Sequence, residues 1–241
     1  MLKIKNLFFN PFQECCSIAW SQASDNSENE GVIIDPGFYD ACERDELFEF
    51  IKAHNITPKA ILLTHGHFDH IFGVRQTSEH YAIPVYMDPK DKVMLENDHI
   101  LTDSFHLKAP DVDFKTIDLK EGDIIKFGEE QLEVISTPGH TPGGISFLDR
   151  KDNVLFSGDT LFAGSIGRTD HPWGDYDKLI KSVMDKLMGL DGDTVVIPGH
   201  GPRTTIGAEA AHNPFLIPFN EPETEWNGMD GIELDGNEDK K

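Results

Sequence analysis

The segment Thr64-His65-Gly66-His67-Phe68-Asp69-His70 places three histidines and one aspartate where a short apolar run ends and an amphipathic stretch begins. Imidazole and carboxylate groups are suitable ligands for zinc, iron or manganese. Burying four such side chains without partners would be costly, so the choice lies between a metal site and a solvated turn. Four donors are too few for two metal ions, and the chain supplies more. His140 lies in Thr137-Pro138-Gly139-His140-Thr141-Pro142, Asp159 in Ser157-Gly158-Asp159-Thr160, and His200 in Pro198-Gly199-His200-Gly201. Each follows a strand-like run and each has a glycine directly before it, which lets the backbone bend sharply and approach the site. Any one of these is weak evidence; four strand-end sites together have no simple structural explanation.

The elements that must position these residues are short. Strand-like runs are expected at 31–34, 60–64, 85–87, 124–127, 132–135, 145–148, 154–157 and 194–197, and alternation over 1–12 also reads as a strand. Helical spacing predicts helices over 45–55, 68–81, 91–96 and 176–188. Residues 98–115 show no clear period and read as an exposed loop or flap. Strands and helices alternate unevenly around a mostly antiparallel middle, which implies helices covering a two-sheet core.

The chain has 241 residues, and 21 basic against 43 acidic side chains leave a net charge of −22. That excess argues against nucleic-acid or anionic-membrane partners, which need a basic footprint. No apolar run approaches the roughly 20 residues of a membrane span, and no signal peptide is visible. Cys15, Cys16 and Cys42 form no spaced framework, so a reducing, cytoplasmic setting is expected, with Cys15 and Cys16 as buried strand thiols rather than a redox pair. Residues 221–241 hold eight acids against Lys240 and Lys241, a net −6. The expected organisation is therefore a catalytic domain over 1–220 and an acidic tail over 221–241, disordered or loosely docked.

The set His65, His67, Asp69, His70, His140, Asp159 and His200 resembles the metallo-β-lactamase superfamily. The resemblance implies an α+β fold, a four-layer αββα sandwich with metals at one sheet edge. It implies His65, His67 and His140 on one divalent ion, Asp69, His70 and His200 on another, and Asp159 bridging them. Zinc is the expected metal, with iron or manganese as alternatives. Zinc β-lactamases of the family carry Cys or Ser where this chain has Asp159, and diiron flavoproteins carry Glu where His67 stands.

The stretch Gly158-Asp159-Thr160-Leu161-Phe162-Ala163-Gly164-Ser165-Ile166-Gly167-Arg168-Thr169-Asp170 is similar to the glyoxalase II group, in particular its short bacterial members without a C-terminal helical domain. Only 41 residues follow His200, so the glutathione-gripping domain is expected to be absent. Family glyoxalases often have Gly-Lys and then an aromatic residue where this chain has Gly167-Arg168-Thr169-Asp170.

The implied activity is metal-dependent hydrolysis of a small-molecule thioester, S-2-hydroxyacylglutathione or a related acyl-thiol. Water held between two cations loses a proton near neutral pH, and the hydroxide would attack the thioester carbonyl while Asp69 and Asp159 hold it in place. Arg168 either pairs with a substrate carboxylate through a two-pronged bond or forms a structural pair with Asp170 or Asp175. His171 and His106 are candidates for the pocket lining. The alternatives are a mononuclear-iron persulfide dioxygenase using His65, His140 and Asp159, or a hydrolase of lactones or other esters on the same metal core.

Overall fold

The computed structural model describes residues 1–22, 29–97 and 99–217; the acidic tail at 221–241 lies outside them. In chain order the elements are β1 (Leu2–Phe9), β2 (Glu14–Ser21), β3 (Asn29–Ile34), α1 (Ala41–Ala53), β4 (Ile56–Leu62), α2 (Phe68–Ile71), α3 (Val74–Tyr81) and β5 (Val85–Met87). A one-turn 3-10 segment, Pro89–Asp91, leads into α4 (Lys92–Glu96), α5 (His99–Phe105) and β6 (Thr116–Asp118). The second half holds β7 (Ile124–Phe127), β8 (Glu130–Ser136), β9 (Ile145–Asp149), β10 (Val154–Gly158), β11 (Leu161–Phe162), β12 (Ser165–Ile166), α6 (Tyr176–Ser182), β13 (Val195–Pro198), β14 (Thr204–Thr205) and α7 (Ile206–His212).

Two six-stranded sheets face each other, ordered β1-β2-β3-β4-β5-β6 and β14-β13-β10-β9-β8-β7. The first is antiparallel through β3 and parallel from β3 to β6; the second is antiparallel except for the β10–β13 pair. Between the sheets, Ala19, Val32, Ile34 and Leu62 meet Leu132, Val134, Phe147 and Phe156. The outer face of the first sheet packs Ile18, Ile33 and Ile61 under Leu47 and Ile51 of α1 and Val74 of α3. The outer face of the second packs Leu148, Leu155 and Val196 under Leu179 of α6 and Ile206 of α7. Helices thus cover both outer faces, giving the expected four-layer α+β sandwich. With both faces of β2 buried, its alternation sends Cys15 into the inter-sheet core and Cys16 into the helix-covered one. Adjacent in sequence, the two thiols lie on opposite faces.

Three expectations needed correction. The helix expected over 68–81 is two helices, broken at Phe72 and Gly73; a Cβ at 73 would stand 2.3 Å from the Phe38 ring, so the position takes glycine, which weakens a helix interior. Helix α1 starts earlier than its periodicity indicates, since the Asp40 side chain accepts from Cys42 N and Glu43 N and caps it. The stretch 98–115 is not all loop; α5 lies within it, and its last residue, Phe105, packs edge-on against Phe12 with ring centroids 5.1 Å apart. The helix over 176–188 is present as α6, passing into a π-helical turn at Val183–Leu187.

Candidate metal centre

Four loops at strand ends converge at one edge of the sandwich. His65 and His67 follow β4, and Asp69 and His70 sit in the first turn of α2, of which His67 is the N-cap. His140 lies between β8 and β9, Asp159 directly after β10, and His200 after β13. Gly158 has φ +49°, a left-handed turn that aims Asp159 out of the sheet, and a Cβ there would run into Thr64. Gly199 matters for space instead: a Cβ would lie 2.3 Å from Asp159 Oδ1 and 2.7 Å from His70 Cε1.

Hydrogen bonds on the outer side of each ring decide which nitrogen faces inward. His140 Nδ1–H donates to the Arg168 carbonyl at 2.8 Å, and His200 Nδ1–H donates to the Phe12 carbonyl at 3.0 Å. His70 Nδ1–H donates to Asp35 Oδ2 at 3.0 Å. The Thr64 hydroxyl gives its proton to Asp35 Oδ2 at 2.6 Å and so accepts from His65 Nδ1–H at 3.0 Å. A neutral imidazole with one nitrogen protonated carries its lone pair on the other. Whenever these four rings are neutral, Nε2 is therefore the nitrogen that offers the lone pair.

Those lone pairs converge. His67 Nδ1 is 2.9 Å from His140 Nε2, and His70 Nε2 is 3.3 Å from His200 Nε2. The donor atoms of His65, His67 and His140 lie within 4.8 Å of one another, as do those of Asp69, His70 and His200. Asp159 stands between the groups, Oδ2 3.4 Å from His140 Nε2 and Oδ1 3.5 Å from His70 Nε2. Asp69 Oδ2 is 3.3 Å from His200 Nε2. His65 Nε2, His67 Nε2 and Asp159 Oδ1 are buried with no hydrogen-bond partner among the described residues. Buried polar atoms left unpaired are rare, and their gathering in residues whose donor atoms converge suits divalent cations.

The electrostatics agree. Burial holds His65, His67 and His140 below the usual imidazole range, so they stay neutral and able to ligate. Burial also pulls His70 down, but the carboxylates of Asp159, Asp69 and Asp35 outweigh it and raise it to about 10. His200 is raised in the same way, against burial, by Asp69 and Asp159. Asp69 is held well below the usual carboxylate range, burial being outweighed by His70 and His200. The carboxylates at this half of the site thus call for positive charge, which a divalent ion supplies as well as a proton does.

All seven residues singled out by motif are together. Of the two readings of Arg168, the structure displays the ion pair: its Nε and Nη2 donate to Asp170 Oδ1 and Oδ2 at 2.8 and 3.2 Å. His171 borders the cleft, its ring 5.0 Å from that of His140. His106 is not among the lining residues, whereas its neighbours Ser104 and Phe105 are.

Sequence reasoning missed three buried carboxylates behind the site. Asp35 accepts from Thr64 N as well as from the Thr64 hydroxyl and His70. Its signal was available: like the ligands it directly follows an apolar strand, β3, and here Pro36-Gly37 comes next. Asp91 ties Gly66 N, Thr141 Oγ1 and Gly143 N together. Glu14, opening β2, is fully buried 3.9 Å from His70 Nδ1. No motif marks either of the latter two.

Among described residues no helix is long and apolar enough to cross a membrane. The family model for the metallo-beta-lactamase superfamily matches residues 25–200. The hydroxyacylglutathione hydrolase GloC of Haemophilus influenzae is 40% identical over 209 residues, 85% of this chain and 93% of that protein. Two solved structures are similar throughout. BLEG-1 B3 metallo-beta-lactamase has TM-score 0.75 and 37% identity over 89% of this chain and 99% of its own. TTHA1623 in a di-iron-bound form has TM-score 0.76 and 36% identity over 88% and 100%. Sequence, fold and the converging His/Asp cluster agree: this chain belongs to the metallo-beta-lactamase superfamily.

Proposed function

We propose that this protein is a cytoplasmic, metal-dependent thioester hydrolase of the glyoxalase II type, acting on S-2-hydroxyacylglutathione or a related acyl-thiol. The observation that carries the reading is the pair of His/Asp groups on the floor of a cleft, with Asp159 between them. The 40% identity with a hydroxyacylglutathione hydrolase supports the choice of substrate class. His65, His67 and His140 would hold one divalent ion, Asp69, His70 and His200 a second, with Asp159 reaching both. Such ions, zinc, iron or manganese, supply Lewis-acid polarisation and lower the pKa of water.

The protein's own groups do the rest. Asp35 and the Arg168 and Phe12 carbonyls fix the tautomers of His70, His140 and His200, so each ring is orientated before substrate arrives. Asp69, ionised at neutral pH, can accept a hydrogen bond from water beside it and so help hold that water in place. His171 and Arg168 border the mouth where the acyl-thiol enters. The partner is a small molecule; a net charge of −22 disfavours nucleic acid and anionic membrane.

The test is metal content of protein purified without added metals, together with turnover of acyl-thiols, lactones and persulfides. Two equivalents of metal with thioester cleavage is the expected result. One iron per chain, with oxygen consumed in the presence of a persulfide, would replace this reading with the dioxygenase.

A further inference from the structure

The cleft above the His/Asp floor has a volume of about 480 Å³, within the usual range for small-molecule sites. One wall is aromatic. Phe12, from the β1–β2 turn, Phe68, opening α2, and Phe105, closing α5, contact one another with ring centroids 5.3, 5.1 and 5.8 Å apart. Phe105 remains 47% exposed within this trio, an apolar surface open to the cleft. Phe162 and Ile166 also line the cleft, with the Phe162 ring 6.3 Å from that of His200. The aromatic wall is also in register with the floor, because the Phe12 carbonyl takes the His200 Nδ1 proton at 3.0 Å.

The cleft is poor in free cations. Arg168 is the single arginine or lysine lining it among the described residues, and its guanidinium is turned to an exposed ion pair with Asp170. The remaining residues of the chain add no arginine, and no lysine but Lys240 and Lys241. Glutathione carries two carboxylates, whose tight recognition calls for charge-assisted, two-pronged partners. Apart from the ions at the floor, which Asp69 and Asp159 would help to hold, the one cationic side chain these carboxylates would meet among the described lining residues is Arg168.

We propose that the preferred substrate is a thioester with an apolar acyl group, an aromatic ring or branched hydrocarbon, seated against Phe12, Phe68 and Phe105, and that the thiol carrier is not held by its carboxylates. The proposal rests on the thioester reading above and, within it, selects a related acyl-thiol over S-2-hydroxyacylglutathione.

The test compares four thioesters on the metal-loaded, full-length protein: phenylacetyl and lactoyl groups, each on glutathione and on uncharged N-acetylcysteamine. The expected kcat/KM favours phenylacetyl by at least about ten-fold on either thiol, with no more than about two-fold between thiols. Phe105→Ala, at an exposed position, should reduce the phenylacetyl preference to about two-fold, and Phe12→Leu should reduce it part of the way. Phe8→Ala, at an exposed β1 position outside the cleft, should leave the preference unchanged. Calorimetric titration with ketone analogues, a methylene replacing the sulfur of the N-acetylcysteamine esters, should give the same order without turnover. A preference of about ten-fold for lactoylglutathione over its N-acetylcysteamine counterpart would overturn the proposal. If no thioester is cleaved but the phenylacetyl ketone still binds better than the lactoyl one, the thioester reading fails while the apolar preference of the cleft stands. Loss of both the cleavage and the binding preference removes both.

Discussion

Asp91 Oδ2 accepts the Thr141 hydroxyl at 2.7 Å, a buried bond across 50 residues that joins the two halves of the site. The same oxygen accepts Gly66 N at 3.0 Å, between His65 and His67, and Oδ1 accepts Gly143 N at 2.5 Å, beside the His140 turn. Asp91 therefore sets the distance between loops delivered by different sheets.

Asp91→Asn replaces an oxygen that can accept even when protonated with an amide nitrogen that cannot, and should cost about 1–3 kcal/mol of stability at low pH. Burial, offset in part by the bonds from Thr141, Gly143 and Gly66, pushes the Asp91 carboxyl from 3.8 up to about 6. A carboxyl raised on folding contributes its stability fully below its unfolded value and loses it as pH rises through the folded one. The wild-type advantage over Asp91→Asn should accordingly shrink between about pH 4 and about pH 6. Denaturant unfolding of both proteins at several pH values measures it; an advantage that grows over this range refutes the assignment.

Asp159→Ala removes the one carboxylate that stands between both groups of donors. The variant should fold, retain less than two equivalents of metal and lose at least about 100-fold in kcat/KM. Elemental analysis alongside turnover checks this. Two equivalents retained with full activity would take Asp159 out of the site.

Glu14 is buried with neither oxygen hydrogen-bonded among the described residues. Burial first, then the negative charges of Asp35, Asp69 and Asp159, raises its carboxyl well above 4.5. Its contribution to stability is thus complete below that value and is lost as pH rises through the raised one. Glu14→Gln, neutral at every pH, should match wild type in acid and melt higher than wild type in alkali. Parallel melting curves against pH for the two proteins would show that Glu14 is not held protonated.

Arg168→Ala should leave the melting temperature unchanged, because the pair with Asp170 is exposed and screened by solvent. Its effect on kcat/KM should be equal for thioesters with and without carboxylates. A selective loss on the carboxylate-bearing ones would mean that the guanidinium leaves Asp170 for the substrate.

Much of the site is legible in the amino-acid sequence. His65, His67, Asp69, His70, His140, Asp159 and His200 are polar residues at the ends of apolar runs, and that placement needs no tertiary knowledge to notice. The strands carrying them are equally legible, since their runs are short, β-branched and bounded by glycine and proline. The break at Gly73 is not, because what requires glycine there is the Phe38 ring, 35 positions away. Helix α5 is hidden because its length is a bare two turns, too short for a period to emerge.

What the sequence by itself determined was the inventory of donors, the strand ends that present them and the acidic net charge. The fold decided how those donors are aimed. Asp35, 29 residues from Thr64 and 35 from His70, sets the tautomers of His65 and His70 only once β3 and β4 lie side by side. The aromatic wall likewise exists only after the β1–β2 turn, α2 and α5 are brought together. Both depend on contacts between segments far apart in the chain, and the energies that choose them are those of burial and of unpaired polar groups, which no local pattern records.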